Sequence, residues 1–290
     1  MQNVSVVIPH YQDLVRLDLC LAGLERQSYP RELIEIIVAD NASPVGEAAV
    51  AAAIKGRAKL VVCHDRGAGP ARNTGVAASS GEILAFIDSD CLAEPDWIKN
   101  GVAGLKDFDF VGGRVKVLID DPARISGAEA FEAIFAFDFA TYINKKGFTG
   151  AGNLLCPRAV FDKVGGFAAA VSEDVEWSYR ATAAGFRLGY VADAIVGHPA
   201  RRNWAELKAK WRRMNLETFL LYARRPFGRW IWVARCFAMP ASAVVHTPKV
   251  LSSRELPRFR DRLSALGTLF RLRFYRLSNG LALMFQRSPA

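Results

Sequence analysis

Two aspartates one residue apart, Asp88 and Asp90 in "AFIDSDCL" (85–92), close an apolar run. On an extended backbone alternate residues share a side, so both carboxylates would face the same way. Such a pair either emerges into water at a strand end or shares a doubly positive ion. Mg2+ and Mn2+ prefer oxygen ligands, and Mg2+ commonly takes one or two carboxylates and completes its shell with water and phosphate oxygens. A diphosphate would explain the pair, and so would a solvated strand end. Other candidates lie along the chain. Asp40 ends "IIVAD" and could cap the next helix or contact a ligand. Glu173 and Asp174, in "SEDVEW", suit a helix N-terminus. His198, before Pro199, is a packed or capping histidine or a ligand. Arg72 could be a surface ion-pair partner, and Trp177 and Arg180 either pack and form salt bridges or border a binding site.

The elements that must position these groups follow from apolar periodicity. Apolar runs at 4–9, 34–40, 59–64 and 82–88 are rich in Val and Ile, and 110–119 looks like a further strand. Between them, 12–27, 44–56 and 69–81 read as helices, the first with Leu14, Leu17, Leu21 and Leu24 at helical spacing. Strand–helix alternation with apolar strands implies a mostly parallel sheet covered on both faces. Ligands of such sheets bind beyond the carboxyl ends of the strands, where Asp40 and Asp88 fall. The stretch 122–147 reads as helix followed by a mobile turn. The stretch 171–186 reads as a helix capped by Ser172 and stopped by Gly185.

Charge is uneven along the 290 residues. Residues 1–200 hold 19 Lys/Arg and 25 Asp/Glu, whereas residues 201–290 hold 19 and 4. Two regions are expected: a catalytic one over 1–200 and a basic, helical one over 201–290 that could meet phosphates, an anionic membrane or nucleic acid. No nucleic-acid recognition motif accompanies the charge, so a nucleic-acid partner is not expected. Five scattered cysteines without a CxxC pair fit a reducing compartment better than a disulfide framework. The N-terminus lacks a basic region before its short apolar run, and "WIWVARCFAMPASAVV" (230–245) is too short to span a bilayer and contains Arg235 and Pro240. Over 260–285 an apolar face of Leu263, Leu266, Phe270, Phe274, Leu277 and Leu281, with Arg262, Arg271 and Arg276 off it, suggests a packed helix or an interfacial one.

The ordered set "SVVIPHYQ", "IIVADNAS", "RGAGPARNTGVAASSGEILAFIDSD", "GAGNLLCPRAVFDKVGGF", "SEDVEWSYRATAAGFRLGYV" and "GHPARRNW" resembles glycosyltransferase family 2, from about residue 3 to 204. The resemblance implies an α/β, GT-A (Rossmann-like) fold: a mixed, mostly parallel sheet flanked by helices. It implies that Pro9, Tyr11, Asp40, Arg72, Asn73, Asp88, Ser89 and Asp90 contact a nucleotide-sugar donor. Asp88, Asp90 and His198 would hold Mn2+ or Mg2+, Asp174 with Glu173 would be catalytic, and Gly152, Asn153, Trp177 and Arg180 would border sugar or acceptor. The chain departs from the family in reading ADN, with Ala39 where many members carry a second acid. "KAKWRR" lacks the Gln of the processive QxxRW motif, which favours transfer of one or few sugars. The expected activity is inverting transfer from a nucleotide-diphosphate sugar, UDP-sugar first, to a saccharide or lipid-linked saccharide in polysaccharide or glycolipid assembly. The expected place is the cytoplasm, peripheral to the inner face of the plasma membrane. One rival is a sugar-nucleotide pyrophosphorylase, whose Gly-rich phosphate loop is missing from "IPHYQDLVRL". The other is a non-catalytic nucleotide-sugar-binding protein of the same fold.

Overall fold

The computed structural model describes residues 1–169, 172–223 and 226–285. It forms two compact units, Met1–Lys116 with Phe137–His198, and Val117–Ala136 with Pro199–Ala290. The segment Val117–Ala136 therefore groups with the basic C-terminal residues, which charge along the chain did not suggest.

The first unit begins with β1 (Val4–His10), α1 (Leu14–Glu25), β2 (Ile34–Asp40), α2 (Glu47–Ile54), β3 (Lys59–Val62), α3 (Ala68–Ala77) and β4 (Ile83–Ile87). Then follow β5 (Leu92–Ala93), α4 (Trp97–Gly104) and β6 (Phe110–Leu118). After α5 (Gly127–Phe135), which lies in the second unit, come α6 (Phe139–Lys146), β7 (Asn153–Pro157), α7 (Arg158–Val164), α8 (Glu173–Ala183) and β8 (Leu188–Pro199). The sheet order is β3-β2-β1-β4-β7-β6-β8-β5. β3, β2, β1 and β4 are parallel, and β7 joins antiparallel to both β4 and β6.

The strand period of two sorts the core. Val4, Val6 and Ile8 face Leu17, Cys20, Leu21 and Leu24 of α1, while Val7 joins Leu84, Phe86, Phe161, Phe167 and Trp177 on the other face. α3 lies close over β1 because Gly75 has no side chain: a Cβ there would come within 2.5 Å of Val7. Asp13 caps α1 by accepting from the Arg16 N–H at 3.1 Å. Asn41, just past β2, donates to the carbonyls of Cys63 and Asp65 and accepts from the Gly67 N–H, which sets the loop leading into α3. α8 ends with Gly185 at φ +91°, as expected of a helix-stopping glycine. Its start differs from the sequence reading. Ser172 sits at φ +57° and makes no capping hydrogen bond, and residue 171 lies outside the described residues.

The second unit adds α9 (Trp204–Ala223), α10 (Gly228–Leu251) and α11 (Phe259–Leu283) to α5. α5 opens with a reciprocal Ser126–Glu129 capping box and buries Ala128 and Phe131 against Leu207, Ala243, Leu269 and Leu272. α11 buries Ala265, Leu269, Leu272, Arg276, Gly280 and Leu283. That face is rotated from the one read in the sequence: Leu263 and Phe274 are exposed, and Arg276 is buried rather than turned away. Among the described residues, no helix is long and apolar enough to cross a membrane.

Candidate functional site

The parallel register sets His10 beside Asp40 at the carboxyl ends of β1 and β2, and the chain leaves β4 one strand over into Asp88. Four groups of residues converge there.

Asp40 is buried. Its Oδ1 lies 2.8 Å from His10 Nδ1 and accepts from the Ser43 hydroxyl at 2.5 Å, and its Oδ2 accepts from the Ser43 N–H at 2.9 Å. Burial raises this carboxyl, but the bonds from Ser43 and the contact with His10 outweigh it, leaving Asp40 below the usual aspartate range. The opposite His10 nitrogen, Nε2, is buried without a partner. Beside it Pro9 is half-buried in β1 and Tyr11 is exposed.

Arg72 of α3 reaches across two segments far apart in sequence. Its Nη2 donates to Asp88 Oδ1 at 2.6 Å, and its Nη1 donates to Glu173 Oε1 at 2.7 Å. Burial works against the guanidinium charge, yet the Asp88, Glu173 and Asp174 carboxylates together hold it above its ordinary value. Gly152 makes room for the arrangement, since a Cβ there would meet Asp88 Oδ2 at 2.7 Å.

Asp174 accepts from the Val175 N–H at 2.8 Å and the Ala151 N–H at 3.3 Å. Burial, with the Glu173 charge next to it, lifts its carboxyl above the usual range against the pull of Arg72 and both amides. A carboxylate made more basic in this way suits proton abstraction.

Asp90 lies on the other side of Asp88. Its Oδ2 is 3.5 Å from His198 Nε2 and 3.6 Å from Arg16 Nη1, and the His198 ring packs on Phe137 with centroids 4.5 Å apart. Donor atoms of Asp90, Cys91 and His198 all lie within 4.8 Å of one another. Burial pushes the Cys91 thiol well above its ordinary value, aided by the Asp88 and Asp90 charges, so carboxylate and imidazole are the donors suited to a hard cation. Asp88 is held by Arg72 instead of joining this donor set. Ser89, between the two acids, is half-buried.

Three further sequence candidates are placed elsewhere. Trp177 is fully buried, its ring against Phe110, Phe161 and Phe167 and its Nε1 donating to the Gly165 carbonyl. Arg180 pairs with Glu176 and donates to the carbonyls of Val164 and Gly166. Asn153 is buried, accepting from Trp97 Nε1 and donating to the carbonyls of Arg114 and Ala194. These three brace the site rather than open onto it. Asn73 likewise exchanges two hydrogen bonds with the Phe167 backbone, tying α3 to the segment before α8. The sequence reading missed Arg16, His10, Ser43 and the Ala151 amide. Arg16 had a usable signal: the first turn of the helix after β1 returns over the strand ends.

Comparison with known proteins identifies the family and the fold. A profile of glycosyl transferase family 2 matches residues 5–175. Glycosyltransferase AglE of Haloferax volcanii is 32% identical over 243 residues, 79% of either chain. Pre-mycofactocin glycosyltransferase of Mycobacterium tuberculosis is 27% identical over 227 residues, covering 72% of this chain but 46% of that protein. Among solved structures, mannosyltransferase PcManGT from Pyrobaculum calidifontis, in complex with GDP-Man and Mn2+, has a TM-score of 0.62 at 20% identity, covering 99% of this chain and 88% of that one. S. aureus TarS 1–349 in complex with UDP-GlcNAc has a TM-score of 0.54 at 16% identity, covering 97% and 88%. These structural likenesses establish a GT-A fold. Because the profile covers more than half of the 290 residues and AglE is 32% identical along 79% of the chain, this chain belongs to glycosyl transferase family 2.

Proposed function

We propose that the chain transfers a sugar from a nucleotide-diphosphate donor to an acceptor hydroxyl with inversion at the anomeric carbon. The observation that carries this reading is the Asp88–Arg72–Glu173 bridge beside Asp174, a half-buried carboxylate more basic than usual. Asp174 takes the proton of the acceptor hydroxyl as that oxygen attacks, and the bond to the leaving diphosphate breaks on the opposite side. Amide donors from Ala151 and Val175 fix the orientation of Asp174. Arg72 holds Asp88 and Glu173 in place. Asp90 and His198 would hold a divalent cation, with Asp88 two residues before Asp90 in the sequence. Such a cation supplies positive charge to the departing diphosphate.

Asp40 at the end of β2 favours an edge of the base, with UDP-sugar the first donor to test. GDP-Man and UDP-GlcNAc are the donors bound by PcManGT and TarS. The acceptor we propose is a saccharide or lipid-linked saccharide at the cytoplasmic membrane surface, which the basic second unit would suit. The test is a panel of sugar nucleotides scored by thermal shift with Mn2+ or Mg2+. One donor should raise the melting temperature, since binding to the folded state alone stabilises it. That donor should then release nucleoside diphosphate when an acceptor is added. Failure of every sugar nucleotide to shift melting would reject the reading.

A further inference from the structure

The second unit carries two features that the transfer reaction leaves unused. The first is a crowd of cations. Arg235 of α10 and Arg273 and Arg276 of α11 are near enough for their charges to oppose one another. Burial and the two neighbouring guanidinium groups push Arg276 down to about 9. Among the described residues, the only acceptors for the three guanidinium groups are Asn215 Oδ1, 3.1 Å from Arg276 Nε, and the Met239 sulfur, 3.8 Å from Arg273 Nη1. Arg276 lies 4.1 Å over the Trp211 ring, and Arg235 5.7 Å from that of Tyr222. Among the described residues, the buried Nε atoms of Arg235 and Arg273, and Nε1 of Trp211, have no hydrogen-bond partner. Among the described residues, the three guanidinium groups where α9, α10 and α11 meet make no hydrogen bond or ion pair with a carboxylate. Buried donors and charges left in this state are costly, and an anion with several oxygens would satisfy them.

The second feature is the outward side of α10. Trp230, Ala234, Phe237, Ala238, Ala241, Val244, Val245 and Pro248 are all exposed, with Trp230 and Val245 at 75%. At helical spacing they make one uncharged stripe about 27 Å long. Arg235 stands at its margin, a turn from Ile231 and Ala238. Exposed Arg229 and Lys249 bracket its ends. No Asp or Glu occurs between Glu217 and Glu255. A soluble surface rarely leaves so continuous an apolar strip uncovered. Aromatic and aliphatic residues on one face, cations around it and no acids match a helix lying in a membrane interface.

We propose that the cluster of Arg235, Arg273 and Arg276 binds the phosphate of an anionic lipid headgroup while the outward stripe of α10 rests in the apolar edge of the bilayer. A second copy of the chain is a poorer occupant, because it would bring the same excess of 19 Lys/Arg over 4 Asp/Glu to the contact. The inference deepens the membrane-surface part of the function proposed above, and its test does not use catalysis.

The full chain is mixed with vesicles of phosphatidylcholine alone or with phosphatidylglycerol added, and sedimented. Wild type should partition onto the anionic vesicles far more than onto the neutral ones. Phe237→Asp with Val244→Asp should abolish sedimentation with either vesicle. Arg235→Gln with Arg273→Gln should cut the preference for anionic vesicles by about twenty-fivefold, each cation near the surface contributing roughly fivefold. Circular dichroism and melting should show all variants folded, and the charge variant no less stable than wild type. Asp174→Asn should bind vesicles like wild type, so a failed donor panel and a failed vesicle assay give distinguishable results. An unchanged anionic preference in the arginine variant would overturn the headgroup assignment. Inorganic phosphate that raises the melting temperature without any vesicle binding would place a soluble anion at the arginine cluster and overturn the lipid. A dimer on gel filtration that Phe237→Asp converts to monomer would assign the stripe to self-association and overturn it too.

Discussion

Arginine is buried in both units, with opposite surroundings. Arg72 lies between Asp88 and Glu173, with Asp174 adding to the field. Arg273 and Arg276 lie near each other and Arg235, with a sulfur and an amide oxygen as acceptors. A cation that acids have neutralised holds the geometry of those acids. Cations that only repel one another lower the stability of their own fold, and relief must come from outside the chain. The same side chain is thus a brace in one unit and an anion receptor in the other.

The largest expected effect removes the acid that Arg72 leaves unpaired. Asp174→Asn should lower kcat by about 10²–10⁴-fold, the usual worth of a positioned general base. It should not lower melting, because the raised carboxyl already disfavours the charged form in the fold. Stability from this group is greatest below the unfolded aspartate value and declines as pH rises through the folded one, so at neutral pH the amide should melt at or above wild type. A marked loss of stability with unchanged turnover would make Asp174 a structural residue.

One substitution made in each unit tests the contrast directly. Arg72→Gln should cost about 3 kcal/mol in chemical denaturation near pH 7, because Asp88, Glu173 and Asp174 are left together without their cation. Arg273→Gln should leave stability unchanged or raise it by about 1 kcal/mol, since it deletes an unsatisfied buried donor and a repelled charge. Equal losses at both positions would erase the distinction between them.

The smallest effect belongs to Asp40. Its folded value is lowered, so its stabilising contribution is complete above the ordinary aspartate value and is lost as pH falls through the folded one. The melting difference between wild type and Asp40→Asn should be steady near neutrality and shrink as pH drops below about 4. A difference that persists unchanged at pH 3 would assign it to packing rather than ionisation.

The parallel half of the sheet was legible in the sequence because strands buried on both faces are continuous apolar runs. Runs read at 4–9, 34–40 and 82–88 match β1, β2 and β4 within a residue at each end. The antiparallel half was harder. β7 is the five-residue NLLCP beginning at a polar Asn153, and β5 has two residues, too short for any alternation to show. Among site residues, the aspartates stood out because strand ends and apolar flanks locate them. Trp177, Arg180 and Asn153 were assigned toward the acceptor because a polar side chain that binds backbone carbonyls and one that binds substrate look alike in one dimension. The membership of Val117–Ala136 in the second unit was illegible for another reason: α5 packs against α11, and nothing local marks a partner so distant in sequence.

The Arg72 bridge also has a consequence for how the protein assembles. It joins residues 16 and 101 positions apart in the chain. Contacts of such separation form only after long loops have closed and their chain entropy has been lost. A chain stopped before residue 173 could still pair β1, β2 and β4, yet Arg72 would meet only one of its two acids. Transferase activity should therefore return after the sheet does when the protein is refolded, and its recovery is the more stringent measure of a completed molecule.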